Sequence, residues 1–245
     1  MLNIERGIRL SVTTAIILAG GLGTRLRSTV PDLPKPMAPI NGFPFLEYQL
    51  GYWIKQGINR FLLSVGYRHE IIIGYFGNSY QGAQLEYVIE PAPLGTGGGF
   101  LLAAQKIDKD DPFLLLNGDT YFAVNLEKLV KFSLMNDADW CFSLFSSTEE
   151  GRYMGMGISP GGEITSLKSG KTFSGGLANG GVYLIQPRVL SDIPFAPGDK
   201  VSLEDDIFSD AILSEQRLFG VEFSGTFIDI GVPDDYHRAQ TLLAL

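Results

Sequence analysis

Cysteine occurs once in the 245 residues, at Cys141, and histidine twice, at His69 and His237. One thiol rules out a disulfide within the chain, and its place in the apolar run DADWCFSLF marks it as the buried thiol of a protein from a reducing compartment. The histidines fall in helical segments with no cysteine or carboxylate at zinc-ligand spacing, so both read as structural or surface residues. Cations are scarce as well. Nineteen lysines and arginines face 27 acidic residues, a net charge of −8, which excludes a broad face for nucleic acid and leaves any phosphate to be met at a local site. No stretch approaches the ~18 apolar residues of a membrane span. The first twelve residues, MLNIERGIRLSV, carry a glutamate and two arginines where a secretory signal has a continuous apolar core. Charge runs, low-complexity linkers and internal repeats are lacking too. The expectation is therefore one domain over residues 1–245, with residues 1–12 as an N-terminal extension, in the cytoplasm and with neither nucleic acid nor membrane as a partner.

Hydrophobic residues make up 45% of the chain, enough at this length for a sizeable core. Apolar runs rich in β-branched or aromatic residues recur at TTAIILA (13–19), RFLLSVG (60–66), LEYVIE (85–90), PFLLLNG (112–118) and ADWCFSLF (138–145). Their continuity is that of strands buried on both faces. Between them FLEYQLGYWIKQG (45–57), HEIIIGYFG (69–77), GGFLLAAQKI (98–107) and NLEKLVKFSLMN (125–136) have helical spacing. This alternation predicts an α/β fold with a mostly parallel central sheet flanked by helices. From Met154 to Pro187 the chain is glycine-rich with shorter, alternating apolar segments, which predicts a small antiparallel portion before helical spacing returns.

One stretch combines bare backbone with cations: LAGGLGTRLRSTVPDLPKP, residues 18–36, directly behind the first predicted strand. Leu26 stands where a dinucleotide fingerprint needs glycine, and no Gly-Lys-Ser/Thr is present, so neither familiar phosphate loop applies. What remains is Gly20, Gly21 and Gly23, whose amides can cradle an anion, followed by Thr24, Arg25 and Arg27. A guanidinium holds phosphate oxygens in bidentate fashion. Lys35 lies between Pro34 and Pro36, whose rings stiffen the backbone that presents it.

LAGGLGTRLR followed by PKPMAPINGFPFLEYQL resembles the sugar-1-phosphate nucleotidylyltransferases, and the likeness continues through PLGTGGG (93–99), LLNGDTYF (115–122), ANGGVYLI (178–185), SLEDD (202–206) and FIDIGVPDDY (227–236). The resemblance implies a Rossmann-like nucleotidyltransferase fold whose antiparallel portion binds sugar. It implies an enzyme that joins a nucleoside triphosphate to a sugar 1-phosphate with release of pyrophosphate. Arg25, Lys35 and Asp119 would be catalytic. Leu18, Ala19, Gly20, Gly21, Gly23, Thr24, Gly95, Thr96 and Gly118 would meet the nucleotide, and Asn179, Gly180 and Glu204 the sugar. Asp119 and Asp229 would hold Mg²⁺, a hard ion that oxygen ligands suit. The family's glutamate-lysine-proline, whose lysine touches the sugar phosphate, is replaced here by TSLKSGKTFSGG, where the resemblance implies Lys171, or else Lys168, for that contact.

GTRLRSTVPDLPKPMAPINGFPFLEY, with its Arg27-Ser28, is most similar to the branch that uses GTP and D-glycero-D-manno-heptose 1-phosphate for surface polysaccharides. Mannose-1-phosphate guanylyltransferases, glucose-1-phosphate thymidylyl- or uridylyltransferases and muramic-acid 1-phosphate uridylyltransferases are the alternatives. A non-catalytic nucleotide-binding subunit is disfavoured because Arg25, Lys35, Asp119 and Asp229 are all present. A homo-oligomer is compatible with this reading.

Overall fold

A computed structural model describes residues 12–21, 23, 25–26, 29–149, 152–168 and 175–243. In chain order the first half contains β1 (Thr14–Ala19), the short pair β2 (Pro39–Ile40) and β3 (Phe43–Pro44), α1 (Phe45–Lys55), β4 (Arg60–Val65), α2 (His69–Phe76), β5 (Ser79–Tyr80), β6 (Ala83–Ile89), α3 (Gly95–Ala104), β7 (Phe113–Asn117) and β8 (Thr120–Phe122). The second half adds α4 (Leu126–Met135), β9 (Trp140–Ser147), β10 (Gly155–Ile158), β11 (Ile164–Lys168), β12 (Gly176–Ile185), α5 (Phe208–Leu213), β13 (Leu218–Glu222), β14 (Phe227–Asp229) and α6 (Pro233–Leu242). No helix among the described residues is long and apolar enough to cross a membrane.

The central sheet runs β5-β6-β4-β1-β7-β12, with β10 and β11 beside the first half of β12 and β9 and β13 extending the sheet from it. β6, β4, β1 and β7 are mutually parallel, and the inner three, β4, β1 and β7, are the continuous apolar runs of strands buried on both faces. Successive residues of β1 feed opposite layers. Ile17 packs with Leu63, Leu46, Trp53 and Leu129 under α1, α2 and α4, whereas Ile16 packs with Leu62, Leu115, Phe100 and Phe208 under α3 and α5. The antiparallel portion predicted from the glycine-rich stretch is part of this sheet, because β12 runs antiparallel to both β7 and β9. Its register breaks between Asn179 and Tyr183, where Gly181 takes φ +70°, a conformation that favours glycine.

A third apolar cluster joins Leu26, Val30, Ile40, Phe45, Ile228, Ile230 and Tyr236. Leu26, the residue that departs from the dinucleotide fingerprint, is the anchor that holds the glycine loop against β14 and α6. Burying such a side chain stabilises by about 2 kcal/mol. The helix α4 is capped by Asn125, whose Oδ1 accepts from the Lys128 amide at 2.7 Å.

Candidate active site

β1 sits between β4 and β7, so the chain leaves it in one direction and returns on the other side. The loops at the carboxyl ends diverge there and open a crevice, the usual ligand site of such sheets. The cleft holds about 540 Å³. β1 and its loop contribute Leu18, Ala19, Gly20, Gly21, Gly23 and Arg25, and the β7–β8 turn contributes Asn117, Gly118, Asp119 and Thr120. The opposite wall carries Pro93, Gly95, Thr96 and Glu204, and the lining is completed by Glu90 and Asp229. The close approach of the two turns depends on Gly118, whose amide donates to the Leu18 carbonyl at 3.0 Å and where a Cβ would lie 2.3 Å from that same oxygen.

Cations and carboxylates meet at the floor. Pro34 is extended, and Lys35 itself opens a 3₁₀ turn, Lys35–Met37, rather than continuing the extended segment that the flanking prolines suggest. Pro36 occupies a first-turn position that needs no amide hydrogen. Lys35 Nζ lies 2.7 Å from Asp119 Oδ2. β8 and β14 pair with Thr120 opposite Asp229, and the Ile230 amide donates to the Asp119 carbonyl at 3.0 Å, so the two aspartates stand side by side. Asp229 Oδ1 accepts from the Gly231 amide at 2.6 Å. A Cβ at Gly231 would come within 3.3 Å of Arg25 Nη2 and 3.4 Å of Lys35 Nζ, which shows both cations converging beside Asp229.

Burial pushes the Asp229 carboxyl above its usual range, and the Asp119 charge pushes the same way, against the Gly231 amide, Lys35 and Arg152. Two oxygen donors held together at an electrostatic cost fit a divalent cation. Among the described residues no cluster of three histidine, cysteine or carboxylate side chains accompanies them. Such an ion would complete its shell with phosphate oxygens and water, as Mg²⁺ does in phosphoryl-transfer sites.

On the opposite wall Thr96 Oγ1 donates to Glu204 Oε2 at 2.8 Å and accepts from the Leu203 amide at 2.9 Å. Burial raises the Glu204 carboxyl, while the Thr96 hydrogen bond favours its charged form. Asn179 and Gly180 are not among the residues lining this cleft. The Asn179 side chain is tied into the β12 bulge, donating to the Tyr183 hydroxyl at 2.8 Å and accepting from the Gly181 amide at 3.1 Å. Lys168 ends β11 as an exposed residue. Thr24, Lys171, Arg27 and Ser28 lie outside the described residues.

Glu90 escaped the sequence reading. It follows β6, accepts from Ser64 Oγ at 3.0 Å and from the Leu94 amide at 3.3 Å, and among the described residues no cation pairs with it. A Cβ at Gly20 would lie 2.0 Å from its Oε1, so the carboxylate packs directly on the glycine loop. Its position at the carboxyl end of a parallel strand, directly before PAPLG, was the available signal.

Known proteins resemble this chain in sequence and in fold. The D-glycero-alpha-D-manno-heptose 1-phosphate guanylyltransferase of Aneurinibacillus thermoaerophilus is 42% identical over 226 residues, 92% of this chain and 96% of that protein. The mannose-1-phosphate guanylyltransferase of Mycobacterium tuberculosis is 33% identical, over 91% of this chain and 62% of that protein. The crystal structure of HddC from Yersinia pseudotuberculosis superposes with a TM-score of 0.82 at 33% identity, covering 94% of this chain and 99% of HddC, and HddC has also been solved in complex with GMP-PN. Residues 14–244, which span the glycine loop, both aspartates and every strand of the sheet, match the nucleotidyl transferase model, and the chain belongs to that family.

Proposed function

We propose that this protein transfers GMP from GTP to D-glycero-alpha-D-manno-heptose 1-phosphate, giving the GDP-sugar and pyrophosphate. The observation that carries this reading is the convergence of Arg25, Lys35, Asp119 and Asp229 on a glycine loop in one cleft. The attacking phosphate oxygen of the sugar 1-phosphate is already anionic and needs no protein nucleophile. It forms a bond to the α-phosphorus in line as the bond to the bridging pyrophosphate oxygen breaks. The work left to the protein is positioning and charge neutralisation.

The amides of Gly20, Gly21 and Gly23 and the Arg25 fork are assigned to the β- and γ-phosphates, and Lys35 to the α-phosphate. Asp119 and Asp229 would hold Mg²⁺, which supplies further neutralisation of phosphate charge when bound. Glu204 accepts from sugar hydroxyls. Glu90 supports guanine as the base: N1–H and the 2-amino group present adjacent donors to one carboxylate, whereas N3–H of uracil or thymine is flanked by carbonyls that repel it. The identity to heptose 1-phosphate guanylyltransferases over more than nine-tenths of both chains supports the sugar.

The test is a matrix of ATP, CTP, GTP, UTP and dTTP against heptose, mannose, glucose and N-acetylated sugar 1-phosphates, read by pyrophosphate release. GTP with heptose 1-phosphate is expected to give the highest kcat/KM. Equal or better turnover with another pair rejects the assignment.

A further inference from the structure

We infer that Thr96 is a positioning residue for the sugar-binding carboxylate Glu204, not a contact to the nucleoside. The inference rests on the reading of Glu204 as a sugar contact given under Proposed function. Thr96 stands in the first turn of α3, and that turn is laced to the segment carrying Glu204. Gly97 and Gly98 donate their amides to the Val201 carbonyl at 2.9 and 3.1 Å, and the Val201 amide donates to the Leu94 carbonyl at 2.9 Å. A Cβ at Gly97 would lie 3.0 Å from the Leu203 amide nitrogen, so the two segments touch backbone to backbone.

Within this contact the Thr96 hydroxyl has its proton committed and one of its lone pairs occupied. Its one proton goes to Glu204 Oε2 at 2.8 Å, and it receives the Leu203 amide at 2.9 Å. A hydroxyl has one proton to give, so Thr96 donates to a ribose or a base only by releasing Glu204. Of the other donors to the carboxylate, its own backbone amide is local to the residue and the contact to Ser202 Oγ is long at 3.4 Å. Thr96 is therefore the short bond that aims Glu204 into the cleft. The neighbouring charges are Asp205 on the same turn and Asp119, Asp229, Glu90, Lys35 and Arg25 elsewhere in the cleft lining, with Tyr183 also near.

The test compares Thr96→Val, which keeps the shape and loses the hydroxyl, with Thr96→Ser, which keeps the hydroxyl. Steady-state kinetics with GTP and heptose 1-phosphate should show KM for the sugar phosphate rising about tenfold in Thr96→Val, with KM for GTP unchanged and most of the loss recovered in Thr96→Ser. A rise confined to KM for GTP overturns the inference in favour of a nucleoside contact. Equal rises in both that serine does not recover overturn it in favour of a purely structural role.

A second readout uses the ligand-free protein. The ¹³C shift of the Glu204 carboxyl is titrated, and its midpoint should move up in Thr96→Val, because a hydrogen bond to the carboxylate is lost. An unmoved midpoint overturns the link between the two residues. An enzyme inactive toward heptose 1-phosphate rejects the proposed substrate, while this titration still decides whether Thr96 holds Glu204.

Discussion

Replacing Lys35 by methionine isolates the cation that faces the two aspartates. In the protein Nζ lies 2.7 Å from Asp119 Oδ2, with side-chain exposures of 12% and 34%. At an effective dielectric of about 20 the bare attraction at this distance is about 6 kcal/mol, most of it offset by desolvation of both groups. Exposed pairs are worth about 0–1 kcal/mol and breaking a buried one costs about 3–5. With a third of Asp119 open to solvent, about 1–2 kcal/mol is the expected net loss, a fall in Tm of roughly 2–8 °C at this chain length. The loss in rate should be larger. One transition-state charge contact is worth about 10²-fold or more in kcat, measured as pyrophosphate release at saturating substrates. The variant also leaves Asp119 and Asp229 facing each other without their ammonium, so millimolar Mg²⁺ should raise its Tm more than it raises that of the wild type. Catalysis at the wild-type rate, or a greater Mg²⁺ stabilisation of the wild type, would refute both the contact and the site.

Gly118→Ala places its Cβ 2.3 Å from the Leu18 carbonyl oxygen, backbone of the central strand β1, and should cost at least about 1–3 kcal/mol in urea unfolding. Gly21→Ala meets nothing within 4 Å and should change stability by less than about 0.5 kcal/mol. Because burial raises the folded pKa of Glu204 above its unfolded value, the wild type loses stability as pH rises through that window. Glu204→Gln should accordingly melt higher than the wild type above the window and equal to it well below pH 4.5, with KM for the sugar phosphate increased throughout. Cys141 is fully buried, with its thiol pushed up to about 12, so a disulfide reagent should label nothing in the native protein and one thiol in denaturant.

Much of the site was legible because its residues lie in short consecutive stretches. Gly20 to Arg25, Gly95-Thr96 and Gly118-Asp119 each follow an apolar strand, and in a parallel sheet the ends of adjacent strands meet. Glu90 was not legible in that way, because a lone acid after LEYVIE resembles any strand-terminal charge until Gly20 is seen packed upon it. The role of Thr96 was equally hidden: its partner Glu204 lies 108 positions away and only the packing of α3 on the 201–204 segment joins them. Asn179 and Gly180, read as sugar contacts by resemblance, stand at a bulge whose hydrogen bonds tie the asparagine inward.

Residue order alone determined the α/β alternation, the glycine loop behind the first strand and the set of charges available for a triphosphate, since each depends on local pattern and side-chain chemistry. Tertiary structure alone decided which carboxylate faces which cation, that β12 enters the central sheet antiparallel, and that the first turn of α3 is joined to the 201–204 segment by backbone hydrogen bonds and the Thr96 hydroxyl. Those are contacts between segments far apart in the chain, and their energies exist only once the core has brought the segments together.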